Sequence, residues 1–245
     1  MRATRHYPKA PITEAVIDLR VLPSSALSVG DLAKVREEEG AAYPTMHELN
    51  TMQGQMLFGT EVSASAHKEH VGFLFRSSDG TKIHQAHVNG FSMSQLAPYP
   101  HWDEFRSEAR RRWNIYCSVA KPAKIVRAGV RYINRIDIPL PLNDFGDYLQ
   151  TVPHLSPHLP QGLSNYFMQL EIPLENIKSL ATINETIIQP AKPDVVSIVL
   201  DIDIFRTDEL PDSDDGVWAF IEQLREVKND LFEACITDKA RELFQ

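Results

Sequence analysis

Hydrophobic and polar residues alternate along several stretches of the chain, and this period of two is typical of strands that bury one face. In the first stretch, Ala15, Ile17 and Leu19 fall on one side, with Asp18 and Arg20 on the other. Eight strands are predicted in this way: Ile12 to Val21, Gln55 to Val62, Val71 to Arg76, Lys82 to Met93, Ile125 to Ile138, Tyr166 to Ile172, Leu180 to Ile188 and Val195 to Phe205. The motif SSDG (77–80) is a turn signal, so the third and fourth of these strands are expected to form a hairpin.

Spacings of three and four between apolar residues predict helices elsewhere. The clearest such stripe consists of Trp102, Phe105, Ala109, Trp113 and Tyr116. It predicts a helix over 102–119, and the good helix formers after Val29 predict another that ends near Gly40. A C-terminal helix is expected to begin near Val217 with Asp215 as its N-cap, followed by a short helix capped by Thr237.

This order of elements favours an α+β fold, with a mainly antiparallel sheet of about eight strands and helices packed on one face. Between Pro139 and Pro160 the chain holds five of its sixteen prolines, which is typical of a boundary or a long connection. The predicted organisation is therefore an N-terminal α+β lobe (1–140), a proline-rich connection (141–162) and a C-terminal α+β lobe that ends in helices (163–245).

Composition is that of an ordinary globular protein, with 43% hydrophobic and 24% charged residues among 245. Prolines and acids interrupt the basic N-terminal segment, and no apolar stretch is long enough for a membrane span. Only two cysteines occur, without metal-type or CxxC spacing, so both are expected to be small core residues. We therefore expect a cytoplasmic protein that has no cofactor and no contact with a membrane.

Charge is distributed unevenly along the chain. From Arg106 to Arg135 there are nine basic residues and a single acid, a net +8, whereas from Asp194 to Gln245 fourteen acids and five bases give −9. One interpretation is that the strand of Asp201 and Asp203 lies near the strand of Arg131 and Arg135, so that the charges pair internally. The other is an exposed basic patch for a nucleic acid, a nucleotide or an acidic partner.

The candidate residues for such a patch are Arg110, Arg111, Arg112, Arg127, Arg131 and Arg135. The last three share one face of a predicted strand at intervals of about 13 Å, too far apart for one small anion. An extended polyanion or a row of carboxylates could contact all three. On the same strand, Asn134 interrupts an otherwise apolar face and predicts either a bulge or a buried polar contact.

An enzymatic alternative rests on Asp201 and Asp203, which lie on one side of a predicted strand about 7 Å apart. Two such carboxylates can hold a divalent cation for phosphoryl transfer if a third acid, such as Glu171 or Asp137, converges on them. No nucleophile elbow of the GxSxG type occurs, and no glycine-rich phosphate loop. The paired acids are therefore the main candidate metal site.

Five segments together carry a resemblance to a known family: APITEAVIDLR, SQLAPYPHWDEF, RAGVRYINRIDIPL, LDIDIF and LREVKNDLFEACITDKARELF. Over nearly its whole length the chain resembles a sporadically distributed family of prokaryotic proteins of this size that has no established activity. The resemblance implies a prokaryotic protein with a mobile or defence-associated role, and it implies no cofactor or catalytic residue.

These observations together favour a non-catalytic binding protein that forms part of a multi-protein bacterial system, with another protein as its partner. The alternative is a metal-dependent phosphoryl-transfer or nucleotide-handling enzyme that uses Asp201 and Asp203. Under the binding hypothesis both acids are paired with arginines, and Arg110, Arg111 and Arg112 are exposed.

Overall fold

The computed structural model describes residues 5–58 and 62–245, in which the elements follow the predicted order. The strands are β1 (Ile12–Leu22), β2 (Thr45–Phe58), β3 (Val62–Arg76), β4 (Lys82–His87), β5 (Gly90–Leu96), β6 (Lys124–Pro139), β7 (Phe167–Leu174), β8 (Ser179–Ile188) and β9 (Val195–Arg206). The α-helices are α1 (Val35–Glu39), α2 (Trp102–Ala120), α3 (Asp214–Cys235) and α4 (Asp238–Glu242). Both α1, which lies between two short 3₁₀ segments, and α2 match predicted helices.

The strands form one antiparallel sheet in the order β2-β3-β4-β5-β1-β6-β9-β8-β7. The α+β class and the mainly antiparallel sheet are confirmed, as is the hairpin of β3 and β4, in which Arg76 pairs with Ile83. The sheet has nine strands within the described residues, whereas about eight were predicted. One reason is that 82–93 holds two strands separated by a turn at Val88 and Asn89, where the dipeptide Asn-Gly is itself a hairpin signal.

The chain folds as two compact units that are not continuous in sequence. One contains residues 5–17, 95–100 and 127–245, and the other contains 18–58, 62–94 and 101–126. In each unit three consecutive strands that neighbour one another in the sheet precede a long helix: β3, β4 and β5 lead to α2, and β7, β8 and β9 lead to α3. This repeat of topology has no counterpart in a sequence repeat. The division into lobes 1–140 and 163–245 follows different boundaries and stays a prediction, as does the packing of the helices on one face.

Each unit has its own aromatic and aliphatic core. In the unit that contains α2, Phe91 packs edge-on against Trp113, and His84 stacks on Phe75 with ring centroids 4.7 Å apart. In the unit that contains α3, the buried face of β9 consists of Ile198, Leu200, Ile202 and Ile204. The apolar face predicted for β9 and the helical stripe predicted for α2 therefore contribute to these cores, whereas His84 and Phe91 share a core only because 82–93 is divided into two strands.

The start of α3 differs from the prediction. Ser213, not Asp215, is the N-cap, because its backbone is extended and its hydroxyl accepts a hydrogen bond from the N–H of Gly216 at 3.1 Å. Asp214 and Asp215 lie in the first turn, where acids interact favourably with the helix dipole. The predicted cap of α4 by Thr237 is confirmed.

Both cysteines are half-buried. Across residues 5–58 and 62–245, no helix combines the length and the hydrophobicity that crossing a membrane requires.

Candidate functional site

The predicted site residues of β6 and β9 lie on the face of the sheet opposite the apolar core residues. Along β6, Val130, Tyr132 and Ile136 are buried, while Arg127, Arg131 and Arg135 belong to the alternate set. The antiparallel register places Arg131 opposite Asp203. On the other side of β9, Asn184 of β8 is opposite Asp201. The two charged rows of the sequence are therefore neighbours in the sheet, as the internal-pairing interpretation predicts.

Arg131 and Asp201 form a bidentate ion pair. Arg131 donates from Nε and Nη2 to the two carboxylate oxygens at 2.8 and 2.7 Å, and this hydrogen bonding raises the pKa of Arg131. Asp201 is only 4% exposed, and its Oδ2 also accepts a hydrogen bond from the amide of Asn184 at 3.1 Å. A buried carboxylate with three donors is held in place as a structural group.

Asp203 is paired in the same way with a different arginine. Nη2 of Arg127 donates to Asp203 Oδ2 at 3.0 Å, while the guanidinium lies 4.3 Å from the centre of the Phe205 ring. The predicted proximity of the charged strands is confirmed, but the partners of the two acids are Arg131 and Arg127, where the sequence predicted Arg131 and Arg135. Register causes the difference, because Arg135 lies opposite Val199 and has no acid of β9 beside it.

Arg135 belongs to a second polar cluster with Asp137 and Ser197. Its Nε donates to Asp137 at 2.9 Å and its Nη2 to the hydroxyl of Ser197 at 3.0 Å. Burial opposes ionisation of Asp137, but hydrogen bonds from Ser197 and Arg135 outweigh it and lower the pKa of this carboxyl. Each of the three arginines of β6 thus has a carboxylate within 3.0 Å.

The acids proposed as third metal ligands do not converge on Asp201 and Asp203. Asp137 is opposite Ser197, which is four residues and about 13 Å along β9 from Asp201. Glu171 shares a register row with Asp203 but lies two strands away, at about 10 Å. Among the described residues, no group of three or more His, Cys, Asp or Glu could hold a metal ion. The geometry therefore gives no support to the phosphoryl-transfer alternative.

The three arginines of α2 have three different environments. Arg112 is buried, and its Nε donates to Glu108 at 2.8 Å while its guanidinium lies 4.5 Å from the centre of the Tyr43 ring. The expectation that Arg112 is exposed is wrong, because helical period places it in the same stripe as the buried aromatic residues. Arg110 is half-buried. Arg111 is exposed, and its Nη1 lies 3.7 Å from Oε2 of Glu108. A role of these arginines in binding stays a prediction.

A buried lysine on α3 is a second group that the sequence interpretation missed. The amine of Lys228 lies 3.8 Å from the centre of the Tyr132 ring, and the Tyr132 hydroxyl is 3.0 Å from that of Tyr99. Burial, together with the charge of Arg225, lowers the pKa of Lys228 to about 7. Within the described part of the chain, no carboxylate forms an ion pair with this amine. Its position is recognisable from sequence, because Lys228 continues the apolar stripe of α3 one turn after Leu224.

Two further polar groups are buried in the same unit. Asn134 donates from Nδ2 to the carbonyl of Leu200 at 3.0 Å, so the interruption predicted in β6 is a buried polar contact. Glu185 of β8 accepts a hydrogen bond from the hydroxyl of Tyr166, and burial raises the pKa of this glutamate. Both groups are satisfied from within the chain, as stable packing of buried polar atoms requires.

A long hairpin of β2 and β3 extends beyond the strands that pair with β4. Only Gly72 to Arg76 of β3 pair with β4. Next to Gly72, Val71 forms a bulge, after which the register continues through nine pairs, from Asn50 with His70 to Phe58 with Val62. We call the segments 50–58 and 62–70 the arm. At a rise of about 3.3 Å per residue the arm is about 30 Å long.

The base of the arm is exposed on both of its faces. Met52 is 74% exposed and pairs with Lys68, while the adjacent pair of Thr51 and Glu69 is also exposed. β2 is the last strand on its side of the sheet, so within the described chain the arm has no third strand. The arm is thus a two-stranded ribbon in which His70 of the first pair packs edge-on against Phe73, while the next two pairs are exposed.

Comparison of the chain with models of known protein families and with curated proteins found no match in either case.

Proposed function

We propose that this protein is a non-catalytic interaction protein that binds another protein through the arm. The observation that carries this proposal is the run of nine register pairs that no further strand of the described chain accompanies. A two-stranded ribbon is only marginally stable in water by itself, because it buries little apolar surface for the backbone that it orders. A partner that packs on the ribbon, or adds a strand to it, supplies the missing contacts.

Exposure at the base of the arm supports a protein partner. Met52 is the most exposed of the large apolar side chains described, and Lys68 and Glu69 beside it are exposed charges of opposite sign. An apolar residue within a polar rim is the usual composition of a protein interface. The resemblance to a sporadically distributed prokaryotic family fits a partner from a multi-protein bacterial system, and this part of the proposal rests on the resemblance alone.

The pairing of the acids also favours a binding protein over an enzyme. Asp201 and Asp203 are held by Arg131 and Arg127 at hydrogen-bond distance, so a divalent cation would have to displace two guanidinium groups. The loss of those charge-assisted hydrogen bonds opposes metal binding at this place. Two acids that are already neutralised in this way are suited to a structural role.

Photo-crosslinking in cells tests the proposal directly. A photoreactive amino acid is introduced at Met52 and, as a control of matched exposure on another strand, at Phe167, which is 68% exposed. We expect a discrete adduct with one other protein from position 52 and none from position 167. Equal adduct patterns from the two positions, or no adduct from position 52, contradict a role of the arm in binding.

An arm-deletion variant separates binding from folding. Asn50 and His70 are register partners, so Asn-Gly in place of 51–69 joins them by a two-residue turn. Because the core residues that the structure describes lie outside the arm, the variant is expected to unfold within about 3 °C of the wild type. It is also expected to lose binding of the protein that crosslinks to position 52. Retention of the partner by the folded variant refutes the proposal.

The enzymatic alternative is tested by thermal shift with Mg²⁺ and Mn²⁺. We expect no rise in melting temperature for the wild type, since the two acids are already paired. A rise that the Asp203→Asn variant abolishes would establish a metal site at these residues and reverse the preference between the two functions.

A further inference from the structure

A cavity of about 460 Å³ lies where the proline-rich segment crosses the end of the sheet in the unit that contains α3. Its walls come from the chain after β6, from the start of β9 and from the segment before β7. The apolar part of the lining includes Leu142, Val152, Leu155 and Val196, and Leu140 at its margin is 48% exposed. The volume is within the range of about 300 to 1,000 Å³ of sites that hold small organic molecules.

The polar groups of the lining differ in how far the protein already uses them. Gln161 donates from its amide nitrogen to the carbonyls of Ser156 at 3.1 Å and Leu159 at 2.6 Å, so its donors stabilise the loop. Asp144 accepts one hydrogen bond, from the N–H of Gly146 to Oδ1 at 2.7 Å. Its other carboxylate oxygen accepts no hydrogen bond from the described part of the chain. Asn143 and Asp144 of the lining are both exposed, and Asp144 is the one charged side chain among the lining residues described.

The charge of Asp144 is not compensated nearby in sequence. Residues 139–166 contain two acids, Asp144 and Asp147, and neither lysine nor arginine. Asp147 forms an ion pair with Lys239 at 2.9 Å, whereas Asp144 forms none in the described chain. A carboxylate in a lining that also contains leucine and valine side chains is complementary to a cation that carries an apolar group.

We infer that this cavity is a binding site for a small amphiphilic cation, an aliphatic or aromatic group with one protonated amine. The apolar group occupies the space between the leucine and valine side chains, and the ammonium donates to the open oxygen of Asp144. This inference goes beyond the proposed function and does not depend on the arm. A small molecule fits better than a segment of a partner protein, because the site is a cavity of limited volume with one charged group.

Two substitutions change the site without damage to the fold. Asn at position 144 keeps the side-chain oxygen that caps the following turn and removes only the charge, so Asp144→Asn is a conservative variant. Gly162 lines the cavity, and an added Cβ there meets no atom within 4 Å, so Gly162→Leu adds an apolar side chain to the lining without a clash at Cβ. Gly30→Leu is the matched control, because a Cβ at Gly30 meets only Ser28 Oγ, at 3.8 Å, and Gly30 does not line the cavity.

The test is an NMR titration of the full chain with hexylamine, hexanol and hexanoate, which share an alkyl chain and differ in charge. We expect saturable binding of hexylamine, about threefold to fivefold weaker binding of hexanol, and the weakest binding of hexanoate. Lengthening the amine from butyl to hexyl is expected to strengthen binding by up to about fourfold per methylene. Asp144→Asn should remove the difference between amine and alcohol, and Gly162→Leu should weaken both at least tenfold, while Gly30→Leu leaves both unchanged.

Several results would overturn the inference. Equal affinities of the three ligands for the wild type, or no saturable binding of any, would show that the cavity does not select a cation. Unchanged binding by the folded Gly162→Leu variant would place the ligand elsewhere. Binding of the peptide Leu-Leu-Lys amide without binding of hexylamine would replace the small molecule by a protein segment. The arm-deletion variant should bind hexylamine as the wild type does, so failure here and failure of the proposed function are distinguishable.

Discussion

Replacement of Lys228 by methionine is expected to stabilise the protein, and the gain should increase as pH falls. The amine of Lys228 is buried over the Tyr132 ring and forms no ion pair with a carboxylate of the described residues, and burial lowers the pKa of this lysine from 10.5 to about 7. Methionine has a similar unbranched shape and carries no charge, so it can fill the same space. The Lys228→Met variant therefore removes the cost of burying an ammonium group and keeps most of the packing.

The magnitude follows from the linkage between proton binding and folding. The unfolded chain binds a proton at Lys228 up to about pH 10.5, but the folded chain does so only below about pH 7. Between these values the unfolded state holds more protons, so folding stability rises with pH and is lowest below pH 7. At 1.36 kcal/mol per pKa unit, the lysine costs the folded state about 4 kcal/mol at pH 7 and about 2 kcal/mol at pH 9. Allowing about 1 kcal/mol for the lost contact with the ring, the variant gains about 3 and 1 kcal/mol respectively.

The assay is urea denaturation of the wild type and the variant at pH 7 and pH 9. At a slope of about 3 kcal/mol/M, the gain at pH 7 corresponds to a midpoint about 1 M higher, and the gain at pH 9 to about one third of that. Lys239→Met is the control, because its hydrogen bond with Asp147 raises the pKa of Lys239 and its charge does not change between pH 7 and pH 9. If the midpoints of Lys228→Met and the wild type differ by the same amount at both pH values, the amine is not desolvated in the folded state, and the reasoning is refuted.

Three further substitutions test other features of the structure. In a double-mutant cycle, Arg131→Met and Asp201→Asn should show a coupling energy of about 1 to 2 kcal/mol. This is below the value for fully buried ion pairs because the side chain of Arg131 is 47% exposed. If the effects of the two substitutions on the urea midpoint simply add, the ion pair is excluded. Glu185→Gln keeps the oxygen that accepts the hydrogen bond from the Tyr166 hydroxyl. Because burial raises the pKa of Glu185, the wild type should lose stability relative to the variant as pH rises through that pKa. A constant difference in stability between pH 4 and pH 8 would contradict this. Gly72→Ala places a Cβ 2.1 Å from a backbone oxygen of β4 and should cost more than about 2 kcal/mol, whereas Gly162→Ala should change stability by less than about 0.5 kcal/mol in the same denaturation assay.

Much of the candidate polar face could be predicted from the sequence. The period-two alternation of β6 places Arg127, Arg131 and Arg135 on one side, and the same alternation places Asp201 and Asp203 together on β9. This alternation does not determine the register between β6 and β9, because the same alternation is compatible with several pairings across the sheet. Register places Arg131 opposite Asp203 and Arg135 opposite Val199. The side chain of Arg131 then reaches the diagonal neighbour Asp201, and Arg135 forms its ion pair with Asp137 of its own strand.

Other features depend on neighbours that are distant in sequence. The helical stripe of α2 includes position 112, but an arginine there is usually interpreted as solvent-facing, and only Glu108 together with the Tyr43 ring makes its burial favourable. The predicted strand Gln55 to Val62 covers the end of β2 and the first residue of β3, and its positions 59–61 lie outside the described residues. The first residues of β2, from Thr45, were not predicted as a strand because they lack a clear apolar alternation. Pairing with β3 defines this strand, and through it the arm.

The sequence by itself determined the α+β class, the order of most elements and the apolar faces of α2 and β9, because each follows from a local period of apolar residues that must be removed from water. Tertiary structure alone decided the order of the strands, the partners of each charge, the arm and the cavity beside Asp144. These depend on contacts between segments that are far apart along the chain, where many pairings satisfy the same local patterns. The folded chain selects the one pairing in which Asp201 and Asp203 are neutralised by arginines while the core residues pack together.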